Sequence, residues 1–364
     1  MATPIDSKSI IRKVLFLAIM VGLAITYLTF TFKGLTSKYG MDQAQIGREV
    51  ARGNNLTTKV IRPVAVYQLE ESGKKIDLNH FYDTTHAPLN VLIYAGVIKA
   101  FGGDDTERYR MEANQDIYAM DRVIAGTCML FFLIAIGINY LLVTKIFDAK
   151  IGALVAVLML VSDSLWSYTT SGLPQMLMLC IFSSACYLLW KAIDSQEAGR
   201  SPIAPVILCG FMFGLLALAH WLTLWIFLGF LIFSISYFRP RGVIAIFLIA
   251  TMGFFIAGPL IFNAQYSDGI MGTAFFYVQG KTGVAQDYMF RGFQYPQLDV
   301  RNLVSNTIRT TLLQAHDVHR HVGGFILATA FFLTLLHPFK RTSISNYRWC
   351  IAIMWVFACL GMAL

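Results

Sequence analysis

Residues 203–237 have the sequence IAPVILCGFMFGLLALAHWLTLWIFLGFLIFSISY, in which His220 is the only titratable residue apart from Cys209 and Tyr237. A helix rises about 1.5 Å per residue and a membrane's hydrocarbon core is about 30 Å thick, so about 20 residues suffice for one crossing. The stretch is too long for a single crossing and too apolar for a water-exposed surface. It predicts two consecutive membrane helices that meet at His220–Trp221.

The composition of the whole chain extends this interpretation. Of 364 residues, 56% are apolar and 14% are charged. Soluble domains average about 45–50% apolar and about 25% charged residues. The apolar runs are continuous, whereas a membrane β-barrel needs short segments of alternating polarity. We therefore predict an all-α, polytopic transmembrane helical bundle, a single domain over residues 1–364 whose surroundings are the lipid bilayer.

The apolar runs predict about nine crossings. The first run follows three basic residues but lacks a small-residue cleavage site, so it predicts a retained span rather than a signal peptide. The last run reaches Leu364, so the chain either ends at the membrane surface or continues in a longer protein. The runs are approximately 12–32, 123–144, 151–168, 174–192, 203–219, 221–237, 243–262, 322–337 and 349–364.

The positive charges predict the topology. The net charge is +8, and the basic residues gather in short loops, where the positive-inside rule places them; a nucleic-acid partner is therefore not predicted. All four basic loops lie on the same side of the membrane as the N-terminus under two conditions. Residues 33–122 and 264–321 must lie on the opposite side, and Pro88–Gly102 must lie at the membrane interface without crossing. Those loops carry Lys145/Lys150, Lys191/Arg200, Arg239/Arg241 and Lys340/Arg341/Arg348.

Asp42 begins the first chemically interesting segment. A helical pattern follows it, with Ala44, Gly47, Val50 and Ala51 on one face, and Gly53 is placed to end the helix. From spacing alone, Asp42 is more simply an N-cap on a surface helix than a catalytic group.

A second polar segment, FYDTTHAPL, spans residues 81–89. Asp83 and His86 precede Pro88, which is suited to the first turn of a helix. A carboxylate and an imidazole three residues apart can ligate a divalent metal ion or bind phosphate near a helix N-terminus. The alternative is local capping by Asp83 or Thr85.

Taken together, these segments resemble a known superfamily. The run MDQAQIGREVARGNNLTTKVIRP (41–63), followed by DTTHAPLNVLIYAGVIKAFGG (83–103), is similar to the first extracytoplasmic loop of GT-C-fold glycosyltransferases. Further along, DRVIAGTCML, TKIFDAKIGAL, SDSLWSYTTSGLPQMLML and AGPLIFNAQYSDG resemble later elements of these enzymes in the same order. The resemblance covers roughly residues 10–275. Protein O-mannosyltransferases and lipid A aminoarabinose transferases belong to this superfamily.

The resemblance implies a glycosyltransferase that moves a sugar from a polyprenyl-phosphate carrier to a protein, glycan or lipid acceptor. It implies a place in the cell's inner (cytoplasmic) membrane, with the site facing the periplasm or exterior. Asp42 takes the place of the catalytic carboxylate, and Asp83 and His86 take the place of a second element that supports catalysis, binds a metal ion or contacts phosphate. Arg62 is a candidate phosphate partner on the basis of its charge and closeness in sequence. The resemblance leaves open whether the protein uses a divalent metal ion as a cofactor.

This chain departs from the superfamily pattern at three positions. Gln43 stands where a second carboxylate is frequent, and Gln175 stands where the returning hairpin often has an acidic residue. His220–Trp221 replaces a common lysine. An ionisable residue between apolar runs is a functional candidate by default, so His220 either contacts the lipid phosphate or hydrogen-bonds within the bundle.

Two other function classes compete with the enzyme. The missing carboxylates favour a non-catalytic scaffold subunit of a membrane protein complex. A transporter would place ionisable residues within its spans, and these spans are almost free of charge.

The second polar segment, 264–321, offers weaker signals. His316, His319 and His321 match no established zinc spacing, so contact with the membrane surface or an acceptor is favoured over metal binding. The aromatic residues suit either a membrane interface or stacking on sugars; they are Phe275, Phe276, Tyr277, Tyr288, Phe290, Phe293 and Tyr295.

Overall fold

A computed structural model describes residues 7–102, 116–267, 269–270, 272–273, 300–321 and 324–363. Within these ranges the chain is helical, and the only β-type pairing is an isolated antiparallel bridge between Thr57 and Tyr82. The predicted all-α architecture is confirmed for this part of the chain. The aromatic residues singled out between 275 and 295 lie outside the described residues.

The helices follow one another in this order along the chain. They are α1 (Ser7–Thr26, extended by a π-helical turn at Tyr27–Thr31), α2 (Lys38–Ala51), α3 (Pro63–Glu71), α4 (Pro88–Gly102), α5 (Ala119–Ile146), α6 (Ala149–Leu160), α7 (Asp163–Thr169), α8 (Gln175–Glu197), α9 (Ile203–Ala219), α10 (Thr223–Tyr237), α11 (Arg241–Tyr266), α12 (Val300–His321), α13 (Gly324–Leu336) and α14 (Thr342–Ala363).

Five helices in the described ranges are long and apolar enough to cross a membrane. They comprise α1 with its π-helical turn, α5, α8, α11 and α14; the bent pair α6–α7 brings the number to six if it is one span. The protein is therefore a helical membrane protein. Four further apolar helices, α4, α9, α10 and α13, are shorter, so the prediction of about nine crossings stays a prediction.

The predicted run 151–168 is not one straight helix. It is divided into α6 and α7, which meet at 60°. Ser162 occupies the N-cap position of α7 with an extended backbone, and Asp163 lies in the first turn. Both residues favour a helix start over a helix interior, which explains the break.

The predicted division of 203–237 is confirmed. Helix α9 ends at Ala219 and α10 begins at Thr223, with His220 in an extended conformation between them. The two helices pack through aromatic rings: the centroids of Phe213 and Phe230 lie 4.8 Å apart in a stacked arrangement. Close packing of this kind, rather than water exclusion, is what holds helices together in lipid.

Small residues allow the helices to approach each other closely. A Cβ on Gly229 of α10 would meet the backbone of Met354 in α14 at 2.9 Å. A Cβ on Gly361 of α14 would meet the ring of Trp225 in α10. Because 229 lies opposite 354 and 225 lies opposite 361, α10 and α14 run antiparallel.

The contacts of α8 define two ends of the bundle. At its carboxyl end, Gln196 accepts a hydrogen bond from the Arg239 amide (3.0 Å), and Asp194 pairs with Arg341 (3.4 Å). The hairpin that leads into its amino end accepts hydrogen bonds from the Tyr94 hydroxyl and the Thr36 amide. Three of the four basic loops therefore meet at one end of the bundle, and the first polar segment lies at the other.

Candidate functional site

Asp42 lies inside α2 and is buried. The helix begins five residues earlier than predicted, at Lys38, with Ser37 at the N-cap position. The interpretation of Asp42 as an N-cap on a surface helix is therefore wrong: the carboxylate projects from the second turn, with 7% of the residue exposed. The predicted helix end is confirmed, since Gly53 follows the C-cap Arg52 with φ +89°.

Two glycines place α2 against its neighbours. A Cβ on Gly40 would collide with the backbone oxygen of Ser171, in the hairpin before α8. A Cβ on Gly47 would lie 3.0 Å from Cβ of Tyr94 in α4. The face that carries Gly47 and the fully buried Ala44 thus packs inward, as the periodicity predicts.

Arg62 reaches Asp42 because the chain turns back beside it. Pro63 begins α3, and a residue before proline avoids the helical region, so Arg62 is extended (φ −91°, ψ 128°). The Thr58 amide donates to the Phe81 carbonyl and the Asp83 amide donates to the Leu56 carbonyl, each at 2.8 Å. This short antiparallel pairing brings the segments of Arg62 and Asp83 together.

Four predicted site residues meet in one cluster. Arg62 forms ion pairs with Asp42 through Nη2 and with Asp83 through Nη1, the latter at 3.5 Å. His86 lies between the same carboxylates: its Nδ1 is 3.0 Å from Oδ2 of Asp83, and its Nε2 is 3.7 Å from Oδ2 of Asp42. We call Asp42, Arg62, Asp83 and His86 the polar cluster.

The cluster holds Asp83 as a carboxylate. Burial alone would raise the pKa of Asp83, but the charge and hydrogen bonds of His86, together with Arg62, outweigh burial and lower the pKa. Oδ2 also accepts the backbone amide of His86 at 3.0 Å. Asp83 therefore caps the turn before Pro88 and, at the same time, belongs to the cluster.

One carboxylate oxygen of Asp42 can accept a further hydrogen bond. Its Oδ2 faces Arg62, whereas Oδ1 is buried and has no hydrogen-bond partner among the described residues. A buried carboxylate oxygen without a donor costs free energy of about 1–3 kcal/mol or more. Such an oxygen is a natural acceptor for a ligand's hydroxyl.

His220 lies near the cluster, in the turn between α9 and α10. Burial lowers its pKa, and the adjacent His86 lowers it further. Its Nδ1 accepts the Leu222 amide at 3.3 Å, so the neutral ring carries its proton on Nε2. The structure thus brings the five predicted site residues to the same end of the bundle.

The metal prediction gains no support from the described residues. They contain no group of three or more His, Cys, Asp or Glu side chains arranged to hold a metal ion. Asp83 and His86, the predicted metal pair, bond to each other instead (3.0 Å). Of the later histidines, His316 is exposed and pairs with Asp317 at 3.1 Å.

The structure adds supporting residues that the sequence interpretation missed. Gln43 accepts a hydrogen bond from Asn90 of α4 at 2.6 Å, and both side chains are buried. Arg48 of α2 pairs with Asp121 of α5 at 3.4 Å. Polar residues on the inward face of an amphipathic helix were the available signal, since such residues need partners when buried.

No protein-family model, no curated protein and no solved structure matches the chain. The fold therefore stands as a helical membrane bundle, and the GT-C resemblance remains a prediction.

Proposed function

We propose that the protein is a membrane glycosyltransferase that moves a sugar from a polyprenyl-phosphate carrier to a hydroxyl-bearing acceptor. One observation carries the proposal: a buried carboxylate, Asp42, has one oxygen held by Arg62 and the other free of partners among the described residues. This group lies at the polar end of an apolar helical bundle, where a lipid-linked substrate and a water-soluble acceptor can meet.

The reaction assigns a role to each part of the cluster. The acceptor oxygen attacks the anomeric carbon, its proton passes to Oδ1 of Asp42, and the bond from carbon to the phosphate oxygen breaks. Polyprenyl phosphate leaves with the bonding electron pair. A correctly placed general base contributes about 10²–10⁴-fold to such a step.

The positive groups have separate tasks. Arg62 already pairs with both carboxylates, so its first task is to orient Asp42, and its remaining N–H groups are available to the phosphate. His86 and His220 are the other groups of the site that can place positive charge or an N–H donor near the departing phosphate. Asp83 keeps His86 in position through the 3.0 Å contact with Nδ1.

The ion pairs of the polar cluster also favour a second function. Arg62 pairs with two buried carboxylates, an arrangement that serves a purely structural purpose equally well. A scaffold subunit of a membrane complex would keep this network and would tolerate the loss of the Asp42 charge as long as the fold survived. Substitution of Asp42 therefore separates the two functions.

The test uses wild type, Asp42→Asn and a matched control, Asp77→Asn, in lipid nanodiscs. Asp77 belongs to the same polar segment but is exposed, with 53% of its side chain accessible. Each protein is incubated with a panel of polyprenyl-phosphate sugars and candidate acceptors, and the release of polyprenyl phosphate is measured. We expect turnover by wild type and Asp77→Asn, and a loss of about 100-fold or more in Asp42→Asn.

Equal turnover in all three proteins would overturn the assignment of Asp42. Stoichiometric co-purification with a partner, no turnover by wild type, and normal assembly of Asp42→Asn would establish the scaffold instead.

A further inference from the structure

The carboxyl end of α11 is held by a lysine of the first polar segment. Nζ of Lys74 lies 2.6 Å from the carbonyl oxygen of Ala264, 3.4 Å from that of Gln265 and 2.5 Å from that of Ser267. The last carbonyls of a helix lack partners within the helix, and an ammonium group has three N–H donors. Lys74 therefore caps α11 from 190 residues away in sequence.

Three further contacts join the first polar segment to the end of α11 and to a residue beyond it. The ring of Tyr82 stacks on Tyr266, with centroids 3.9 Å apart, and meets the edge of Phe262 at 5.9 Å. The hydroxyls of Thr84 and Thr273 lie 2.9 Å apart, and both residues are buried.

A glycine makes the last contact fit. Gly272 has φ +71°, and a Cβ there would lie 2.5 Å from the Thr84 carbonyl oxygen. The backbone of residue 272 thus lies directly against the backbone of the first polar segment, at a position where a side chain would be strained and crowded.

These contacts flank the polar cluster. In sequence, Asp83 lies between Tyr82, which packs on the end of α11, and Thr84, whose hydroxyl lies 2.9 Å from that of Thr273 beyond that helix. His86 bonds to Asp83 through its ring and its amide. Asp42, in contrast, is held by α2, which packs on α4. Through Tyr82, the segment of Asp83 and His86 therefore has a contact with α11 in addition to the ion pairs of the cluster.

The last part of α11 follows a proline inside the helix. Pro259 lies inside α11, and proline removes one hydrogen bond of the helical ladder and disturbs the preceding turn. The contacts of Lys74 and Tyr82 therefore lie on the part of α11 that follows this missing hydrogen bond.

We infer that Lys74 is a positioning residue for the site: by capping α11 it fixes the surface on which Tyr82 rests, and so sets Asp83 and His86 relative to Asp42. This inference rests on the proposed function for its catalytic consequence, but its structural content is independent of any reaction.

The structural test compares Lys74→Met, Lys74→Arg and a control, Lys75→Met, by hydrogen–deuterium exchange. Methionine keeps a chain of similar length without N–H donors, arginine restores donors, and Lys75 is an exposed neighbour with the same charge. The readout is exchange at the amides of Asp83 and His86, which are both hydrogen-bonded. We expect exchange about tenfold faster in Lys74→Met alone, since local opening sets the exchange rate.

Unchanged exchange in Lys74→Met, or an equal change in Lys75→Met, would overturn the inference. If Lys74→Met does not fold, Thr273→Val and Thr273→Ser decide: valine should speed exchange at the same two amides and serine should not. Equal exchange in the two Thr273 variants would then reject the coupling.

Measurements of kcat and KM distinguish a positioning role of Lys74 from a general loss of stability. We expect Lys74→Met to lower kcat by about tenfold with KM within about twofold, and Lys74→Arg to recover most of kcat. A rise in KM alone would contradict a positioning role. If wild type turns over no donor, the proposed function fails, but the exchange experiment still decides whether Lys74 holds Asp83 and His86.

Discussion

At the scale of single residues, Arg62 is the group on which the polar cluster depends. It is the guanidinium that faces both Asp42 and Asp83, whose side chains are 7% and 4% exposed. Removing one partner of a buried ion pair leaves an uncompensated charge, and the measured cost of this is about 3–5 kcal/mol.

Arg62→Met should therefore lower the free energy of unfolding by about 3 kcal/mol, more than Arg62→Lys, which keeps the charge. Reversible unfolding in mixed detergent micelles provides the measurement. Arg200→Met is the control, because Arg200 and its partner Asp194 are both accessible to solvent and lie outside the cluster. A loss below about 0.5 kcal/mol for Arg62→Met would show that the cluster is not held by this residue.

The lowered pKa of Asp83 predicts a dependence of stability on pH. An aspartate in an unfolded chain has a pKa of about 3.9. The pKa of Asp83 in the folded protein is lower, so the ionised form of Asp83 stabilises the fold. That contribution is complete above the unfolded pKa and is lost as the pH falls through the folded pKa.

Wild type should consequently lose stability below about pH 4 more steeply than Asp83→Asn, which has no proton to take up at this position. Unfolding followed by tryptophan fluorescence between about pH 6 and pH 2.5 measures the two slopes. Parallel curves for the two proteins would contradict the assignment of Asp83 as a buried carboxylate.

The sequence indicated which residues form the site better than it indicated how they contact one another. Asp42, Asp83, His86 and Arg62 stand out as ionisable side chains in polar segments of an apolar chain. Their pairing was not predictable, because the hydrogen bonds between 56–58 and 81–83 that align them involve backbone groups with no sequence pattern. Local spacing predicted that Asp42 is an N-cap. In the structure α2 begins at Lys38, and Gly40 and Gly47 pack it closely against its neighbours, so Asp42 lies inside the helix.

At the scale of elements, the position of α2 depends on Gly40. A side chain there would meet the backbone of Ser171 and Gly172, which cannot move aside as a flexible side chain would. The helix carries Asp42 two residues later, so a shift of α2 moves the carboxylate.

Gly40→Ala should lower both the free energy of unfolding, by about 1–3 kcal/mol, and any turnover. Gly96→Ala in α4 is the matched control, since a Cβ there meets nothing within 4 Å and alanine favours helix by about 1 kcal/mol. Paired unfolding and activity measurements give the result. A Gly40→Ala protein as stable and as active as Gly96→Ala would mean that α2 does not pack as described.

Predictions of elements succeeded where the local signal was strong. Pro88 begins α4, Gly53 follows the end of α2, and His220 separates α9 from α10. Helix α3 was missed although Pro63 supplies a helix-start signal, because the segment is short and lies between polar turns. The α6–α7 break was missed because Ser162–Asp163 interrupts a run whose hydropathy stays high.

At the scale of the whole molecule, the bundle separates a basic end from an end that carries the polar cluster. Helix α8 has 23 residues, which corresponds to roughly 34 Å at about 1.5 Å per residue. This length matches the thickness of a membrane, so the two ends lie on opposite faces if α8 crosses it.

Single cysteines at Lys75 and Arg200 should therefore be labelled from opposite sides of sealed vesicles by a membrane-impermeant maleimide. The six native cysteines are buried or partly buried, and the unsubstituted protein provides the background. Both side chains replaced are exposed. Labelling of both positions from the same side would contradict this arrangement of the bundle.

The class of the molecule was the most predictable property, because apolar runs of membrane length leave few alternatives to a helical bundle. The number of crossings was less predictable: α9, α10 and α13 have 17, 15 and 13 residues, and length alone does not decide whether such helices cross. The reaction was the least predictable property, since similar bundles support transport, scaffolding and catalysis.

The most direct measurement combines donor binding and turnover for Asp42→Asn. If Asp42 is the base of a glycosyl transfer, the variant should bind a polyprenyl-phosphate sugar within about threefold of the wild-type Kd while kcat falls by about 100-fold or more. A variant that binds and turns over the donor as wild type does would contradict the central role given to this carboxylate.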